Sequence, residues 1–117
     1  MIKFDVKNKE VFRGALAVPW HPKLIELYLW LLGMCEPLLI TCAYEKRDYS
    51  SVHSVTPLRG FDIRSWIVGD PVHIRYMTNK TWQYDPARLD KEVCLYHDTG
   101  RGLHFHFQVH DNTVKNG

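Results

Sequence analysis

The side chains best suited to chemistry lie near the end of the chain. In the segment 103–109, apolar residues alternate with His104, His106 and Gln108. Because successive side chains of a β-strand point to opposite faces, one face would join a core and the other would present two imidazoles. Imidazole is a frequent zinc ligand and a frequent acid–base group near neutral pH. The spacing therefore predicts a metal site or an acid–base site on this strand.

Two residues earlier in the chain complete a possible ligand set. His53 lies in a polar segment, and Asp62 occupies the polar face of the strand predicted after it. Two histidines and one carboxylate, with a fourth position left for water, are a usual ligand set of catalytic zinc. Taken singly, His53 would more often be an exposed loop residue, and a His-x-His pair would more often be a solvated strand face. The combination is much more specific than its parts.

Hydrophobic spacing predicts the helices that would support these residues. Residues 22–35 place apolar side chains at i, i+3, i+4 and i+7, with Pro22 in the first turn. Asp70 followed by Pro71 is typical of a helix start and predicts a second helix over 71–82.

Four short segments favour strands, and a polar stretch that contains His53 separates the first two. The turn at residues 99–102, rich in glycine, predicts a hairpin that places His97 opposite His104 on the same face. The predicted strands cover residues 38–44, 60–68, 92–97 and 103–109.

These elements predict a single α+β domain over residues 1–117, with a small antiparallel sheet and helices packed on one face. Residues 1–20 receive no assignment, and the polar tail 111–117 is expected to be frayed. His21, His73 and His110 are interpreted as surface or helix residues.

Composition narrows the classes of function. The chain is 45% hydrophobic and 24% charged, with a net charge of +2. It has no basic stripe of the kind that would predict nucleic-acid binding. Three cysteines without framework spacing are interpreted as free thiols of a reducing compartment. The apolar run 24–35 contains Glu26 and is too short to span a bilayer, and the N-terminus does not resemble a signal peptide. We therefore expect cytoplasmic synthesis, no membrane insertion and a monomer.

Three runs of residues resemble a known family of zinc peptidases. They are Ile-Thr-Cys-Ala-Tyr at 40–44, Ser-Val-His at 51–53 and Arg-Gly-Phe-Asp-Ile-Arg at 59–64. With the final His-x-His strand, they resemble the D-alanyl-D-alanine carboxypeptidase and L-alanyl-D-glutamate endolysin family, which shares a zinc fold with hedgehog and lysostaphin-type peptidases. The segment 84–109 is similar to small phage-encoded members, so the resemblance spans most of the chain.

The resemblance implies a role for each candidate residue. It implies a Zn²⁺ site and a peptidase that cleaves the stem peptides of bacterial peptidoglycan, acting at the cell wall in host lysis or as part of a virion. The implied metal ligands are His53, Asp62 and His106. The implied catalytic candidates are His104 and Asp98, and the implied substrate contacts are Tyr44, Arg47 and His97.

The chain departs from the family pattern at three places. The step from His53 to Asp62 is longer than usual, so the intervening loop must bulge. Glu45 follows Tyr44 where the family has a substrate-binding arginine, which leaves Lys46 or Arg47 as substitutes. Leu103 stands where many members carry the acidic general base. These departures leave open a non-catalytic module of the same fold, which would bind zinc for stability or recognise wall peptides.

Two other metal-site classes fit less well. A cupin would need a glutamate shortly after the His-x-His pair, and Gln108 and His110 follow instead. A two-histidine phosphoesterase would need two separated His-x-Ser/Thr motifs, and only the region around His53 offers a candidate.

Overall fold

The architecture is that of a small α+β domain with three helices and a mostly antiparallel sheet, as seen in a computed structural model that describes residues 4–35, 38–65, 69–100 and 102–116. The helices are α1 (Lys9–Ala17), α2 (Pro22–Met34) and α3 (Pro71–Thr81). In these residues, no helix is long and apolar enough to cross a membrane.

Five strands form the main sheet in the order β1-β2-β3-β6-β5. Their bounds are β1 (Asp5–Val6), β2 (Leu39–Cys42), β3 (Gly60–Arg64), β5 (Cys94–Asp98) and β6 (Leu103–Gln108). Strand β1 runs parallel to β2, and the other neighbours are antiparallel. A second sheet pairs β4 (Trp82–Gln83) with β7 (Val114–Lys115).

One face of the main sheet forms one side of the hydrophobic core. Phe61 and Ile63 of β3 and Phe105 and Phe107 of β6 are almost completely buried. They belong to one hydrophobic cluster with residues of all three helices, among them Ala15, Leu24, Leu27, Tyr28, Leu31 and Ile74. Burying a large apolar side chain contributes roughly 1.5–3 kcal/mol, so these alternating residues fix which face of β3 and β6 points inward. The opposite face is left for the polar side chains.

Both predicted helices are confirmed within a residue or two. The Asp70 side chain accepts a hydrogen bond from the backbone N–H of His73 and caps α3. His21 caps α2 by accepting from the backbone N–H of Lys23 at 3.1 Å, while its Nε2 lies 2.9 Å from Asp111. Of the two interpretations of His21, as a surface or a helix residue, the surface one is wrong, since His21 caps a helix and is buried against the C-terminal segment.

Two expectations about the chain near its strand ends need correction, and a third falls partly outside the described residues. The tail is not frayed over residues 111–116, because β7 pairs with β4 and Thr113 is buried. Leu103 was expected on the core face, but its position at the end of the hairpin leaves it 53% exposed. Strand β3 ends at Arg64, and the last residues of the predicted strand, 66–68, lie outside the described residues.

Candidate metal centre

Three side chains that the sequence singled out meet on the polar face of the sheet. Nε2 of His53 lies 3.2 Å from Oδ1 of Asp62 and 3.3 Å from Nδ1 of His106. The same Oδ1 lies 2.9 Å from Nδ1 of His106. Three potential ligand atoms therefore surround one point.

Strand register brings two of these residues together. Asp62 of β3 is paired directly with His106 of β6, and Arg64 is paired with His104. Directly opposed residues of antiparallel strands share a face, so the buried phenylalanines that orient β3 and β6 also orient these polar side chains.

The loop that carries His53 is tied to the sheet by its backbone. The carbonyl of His53 accepts from the N–H of Glu45 at 2.7 Å, and the N–H of Arg59 donates to the carbonyl of Val52 at 3.2 Å. The N–H of His53 also donates to the Ser51 hydroxyl. These bonds hold the His53 side chain inside the protein, where it is only 3% exposed, instead of in solvent.

The outer nitrogen of each imidazole faces a hydrogen-bond acceptor. Nδ1 of His53 lies 2.9 Å from the carbonyl oxygen of Ala43, and Nε2 of His106 lies 3.1 Å from Oε1 of Gln108. Because both acceptors are oxygens without hydrogens, the outer nitrogens carry the hydrogens. In a neutral ring this leaves a lone pair on the inner nitrogen, Nε2 of His53 or Nδ1 of His106, which can bind a cation. In a protonated ring the inner nitrogen carries a second hydrogen and donates to Asp62.

The donor set fits a bound cation. Ligands at about 2.0–2.2 Å from a tetrahedral ion lie roughly 3.3–3.6 Å apart, close to the separations among His53, Asp62 and His106. A cation between the two imidazole lone pairs and the Asp62 carboxylate is attracted by all three groups. Without a cation, the two lone pairs would repel each other at 3.3 Å. The geometry is therefore that of a candidate metal centre.

Asp62 is adapted to remain ionised. Burial alone would raise the pKa of its carboxyl, but hydrogen bonds and charge interactions with His106 and His53 outweigh burial and hold this pKa well below its ordinary value. The carboxylate is thus available as an anionic ligand at physiological pH.

Cys42 also lies at the site, which the sequence analysis did not anticipate. It belongs with His53 and Asp62 to a group whose ligand atoms lie within 4.8 Å of one another. Its Sγ is 3.7 Å from Nδ1 of His53, the nitrogen that faces Ala43. Burial, followed by the charges of Asp62 and Glu45, raises the pKa of this thiol to about 12.

A bulge in β2 explains why Cys42 was missed. Strict alternation would send Cys42 to the core face with Ile40, which is fully buried. The register shifts between these two residues, so Ile40 pairs with Ile63 while Cys42 pairs with Asp62. A bulge that turns one side chain to the other face leaves no signal in the hydrophobic pattern.

The ligand cluster opens into a cleft of about 870 Å³. Cationic and imidazole side chains contribute to its walls, including those of Lys7, Arg47, Arg64, His97 and His104. The carboxylates of Glu45 and Asp62 also line the cleft, which is large enough for several residues of a peptide.

The structure places the two additional histidines of the hairpin beside the cluster. His97 pairs with His104 across β5 and β6, which confirms the predicted register. Nδ1 of His104 lies 3.0 Å from the Gly102 carbonyl, and its Nε2 lies 3.8 Å from Oδ2 of Asp62. The ring of His97 is 5.0 Å from that of His104 and 5.9 Å from that of His106. Burial and these two histidines lower the pKa of His97.

The other three candidates occupy different surroundings. Arg47 lies on the cleft wall, where it donates to the Ser51 hydroxyl at 3.0 Å. Tyr44 packs against the hydrophobic core and lines a separate groove beside α1. Asp98 lies on the exposed hairpin turn, where its Oδ1 accepts from the N–H groups of Gly100 and Gly102.

Comparison of the chain with protein-family models, with curated proteins and with solved structures finds no match.

Proposed function

We propose that this protein is a zinc-dependent peptidase that hydrolyses peptide bonds in the stem peptides of bacterial peptidoglycan. The observation that carries the proposal is the convergence of His53, Asp62 and His106 within 2.9–3.3 Å of one another at the edge of an open cleft. The order of these ligands along the chain and the residues around them resemble the cell-wall peptidase family. As in that family, the proposed site of action is the cell wall; the proposed working form of this chain is a monomer.

The donor types favour zinc among the common divalent ions. Two imidazole nitrogens and one carboxylate suit Zn²⁺, whereas Mg²⁺ and Ca²⁺ prefer sites built from oxygen alone. When bound, such an ion polarises a carbonyl oxygen and lowers the pKa of water to about 7, which is the chemistry that amide hydrolysis needs at neutral pH.

His104 is placed to move the proton in hydrolysis. The Gly102 carbonyl holds the hydrogen on Nδ1 of His104, so Nε2 has the lone pair and faces the ligand cluster. Nε2 can take a proton from the attacking water and return it to the amine nitrogen as the peptide bond breaks. This assignment gives His104 the role that the family gives to an acidic residue at the position of Leu103.

Arg47 is the cationic group of the cleft that we propose to contact carboxylates of the substrate. The guanidinium of Arg47 is held on the wall by Ser51 and lies 3.7 Å from Glu45. The stem peptides of peptidoglycan carry free carboxylates. A guanidinium recognises a carboxylate through two parallel N–H donors. Arg47 is therefore the proposed anchor for the substrate, with His97 on the neighbouring wall.

The test compares one ligand variant with one histidine outside the site. Purified wild-type protein should bind one zinc per chain and release soluble fragments from peptidoglycan, with the broken bond identified by mass spectrometry. His106→Ala should lose both properties, and His73→Ala, at an exposed position of α3, should keep both. Stoichiometric zinc without any release from several types of wall would rule out the peptidase.

A specific observation supports a second candidate, a zinc-stabilised module that does not hydrolyse its ligand. Cys42 offers a thiol donor next to His53 and Asp62, and a thiolate in the coordination sphere would take the position that hydrolysis leaves to water. The cobalt-substituted protein separates the two candidates. A thiolate-to-cobalt charge-transfer band that Cys42→Ala removes, together with weaker metal binding, supports the closed site. No such band and unchanged affinity in Cys42→Ala support the peptidase.

A further inference from the structure

Gln108 is the last residue of β6 and has contacts on both sides of its amide group. Its Oε1 lies 3.1 Å from Nε2 of His106, and its Nε2 donates to the backbone carbonyl of Glu92 at 2.8 Å. The backbone N–H of Gln108 also donates to the carbonyl of Val93. The side chain therefore connects the end of β6 to the segment before β5.

The contact with Glu92 determines which way the amide points. A carbonyl oxygen can only accept, so the NH₂ group of Gln108 must face Glu92 and Oε1 must face His106. The opposite orientation would bring two oxygens together at Glu92. With Oε1 fixed as an acceptor, Nε2 of His106 can donate to it, while Nδ1 of the same ring faces Asp62 at 2.9 Å, where a cation would lie.

We infer that Gln108 is a positioning residue for the metal centre: it keeps His106 in the tautomer whose Nδ1 lone pair points to the ion. The inference rests on the zinc site proposed above. A neutral imidazole has two tautomers, and the other one would place an N–H where a ligand lone pair is required. Partners of this kind typically change metal affinity by about 10- to 100-fold.

Two substitutions separate the acceptor role from the structural one. Gln108→Met and Gln108→Glu both remove the N–H that donates to Glu92, so both lose that connection between strands. Only Gln108→Glu keeps an oxygen that can accept from Nε2 of His106. Gln83→Met, in the small second sheet, is the control for a glutamine away from the site.

The experiment measures zinc affinity by competition with a chelator, and records the His106 N–H by ¹⁵N-edited NMR of the zinc-loaded proteins. We expect Gln108→Met to bind zinc about 10- to 100-fold more weakly and to lose the protected Nε2–H signal. Gln108→Glu should keep the signal and stay within a few-fold of the wild-type affinity, as should Gln83→Met.

The outcomes distinguish this inference from the proposal on which it rests. Equal affinities in wild type and Gln108→Met, or equal losses in the methionine and glutamate variants, would overturn the role of Gln108 while leaving the zinc site intact. A wild-type protein that binds no zinc would overturn both. If Gln108→Met does not fold, loss of affinity in a folded Gln108→Glu would also contradict the inference.

Discussion

Asp62 is the residue whose charge has the largest consequences. It contacts both histidines of the candidate centre, His53 and His106, through one oxygen, and these contacts hold its pKa below the ordinary value despite burial. A carboxyl with a lowered pKa in the folded state stabilises the fold above its unfolded pKa. That contribution decreases as the pH falls and is lost once the pH passes below the folded pKa.

The metal-free protein should therefore lose stability when the pH is lowered from about 5, as the unfolded Asp62 takes up a proton near pH 3.9. Urea unfolding in a chelator at pH 5, 4 and 3 measures this loss. Asp62→Asn should reduce the pH dependence, because asparagine does not titrate. Asp90→Asn, at an exposed position, should retain it. Equal slopes in wild type and Asp62→Asn would contradict the lowered pKa.

At the scale of elements, the hairpin of β5 and β6 presents three histidines to the cleft. Its turn contains Gly100 and Gly102 at φ of 103° and 95°, a backbone region that favours glycine. The Asp98 carboxylate accepts from both of their N–H groups, at 2.7 and 3.0 Å. The contacts of Asp98 thus indicate a role in shaping the turn.

Asp98→Ala should destabilise the protein by about 1 kcal/mol through the lost turn bonds. Because His104 is the proposed proton carrier, peptide release per folded molecule should remain within about threefold of the wild type. Asp98→Asn, which keeps an oxygen acceptor, should recover part of the stability. Urea unfolding and peptidoglycan release measure the two effects. A loss of release above 100-fold at unchanged stability would instead identify Asp98 as the general base.

Helix α1 supports the site from the far side of β2. Gly14 packs so closely on the backbone of Tyr44 that an added Cβ would collide with the Tyr44 carbonyl oxygen. Tyr44 directly follows Ala43, whose carbonyl accepts the outer hydrogen of His53. Because Gly14 has no side chain, α1 can lie against the backbone of Tyr44 while the neighbouring Ala43 carbonyl contacts His53.

Gly14→Ala should destabilise the fold by roughly 1–3 kcal/mol, because backbone on both sides must move apart. Gly33→Ala is the matched control, since a Cβ at that position of α2 would have no neighbour within 4 Å. Alanine has the higher helix propensity, so Gly33→Ala should stabilise by up to about 1 kcal/mol. Urea unfolding of both variants measures the difference. Similar changes in the two variants would contradict the tight packing of α1.

Elements with a strong local pattern could be predicted from the sequence. Helix α2 and strands β3 and β6 follow regular apolar spacing, and the polar positions between their apolar residues include Asp62 and His106. Once the core faces are known, the meeting of these two ligands follows from strand pairing alone.

Elements that depend on distant partners could not be predicted. Strands β1 and β7 have two residues each and exist through pairing with β2 and β4, which leaves almost no local pattern. The sequence did carry a signal for helix α1, because asparagine is a common N-cap residue and Asn8 precedes the helix. In the structure, the side chain of Asn8 accepts from the N–H of Val11. The position of Cys42 required the bulge in β2, which only the folded sheet shows.

At the scale of the whole molecule, the candidate centre joins parts of the chain that are far apart in sequence. His53 and His106 are 53 residues apart, and Asp62 and His106 are 44 apart. The loop that carries His53 has few regular backbone bonds of its own, whereas β3 and β6 lie in the middle of the sheet. An unfolded chain cannot bring these groups together, so metal binding at the proposed centre would be linked to folding.

Zinc should therefore stabilise the folded protein by about 4 kcal/mol when the free ion is at 1,000 times its dissociation constant. Unfolding in urea, with buffered zinc and with a chelator, measures the difference. His106→Ala should show almost no stabilisation by the same free zinc, and His73→Ala should respond as the wild type does. Magnesium should stabilise none of them, because two of the three donors are nitrogens. Equal stabilisation of His106→Ala by zinc would locate the ion elsewhere, since His106 is the proposed ligand on β6 that contacts His53.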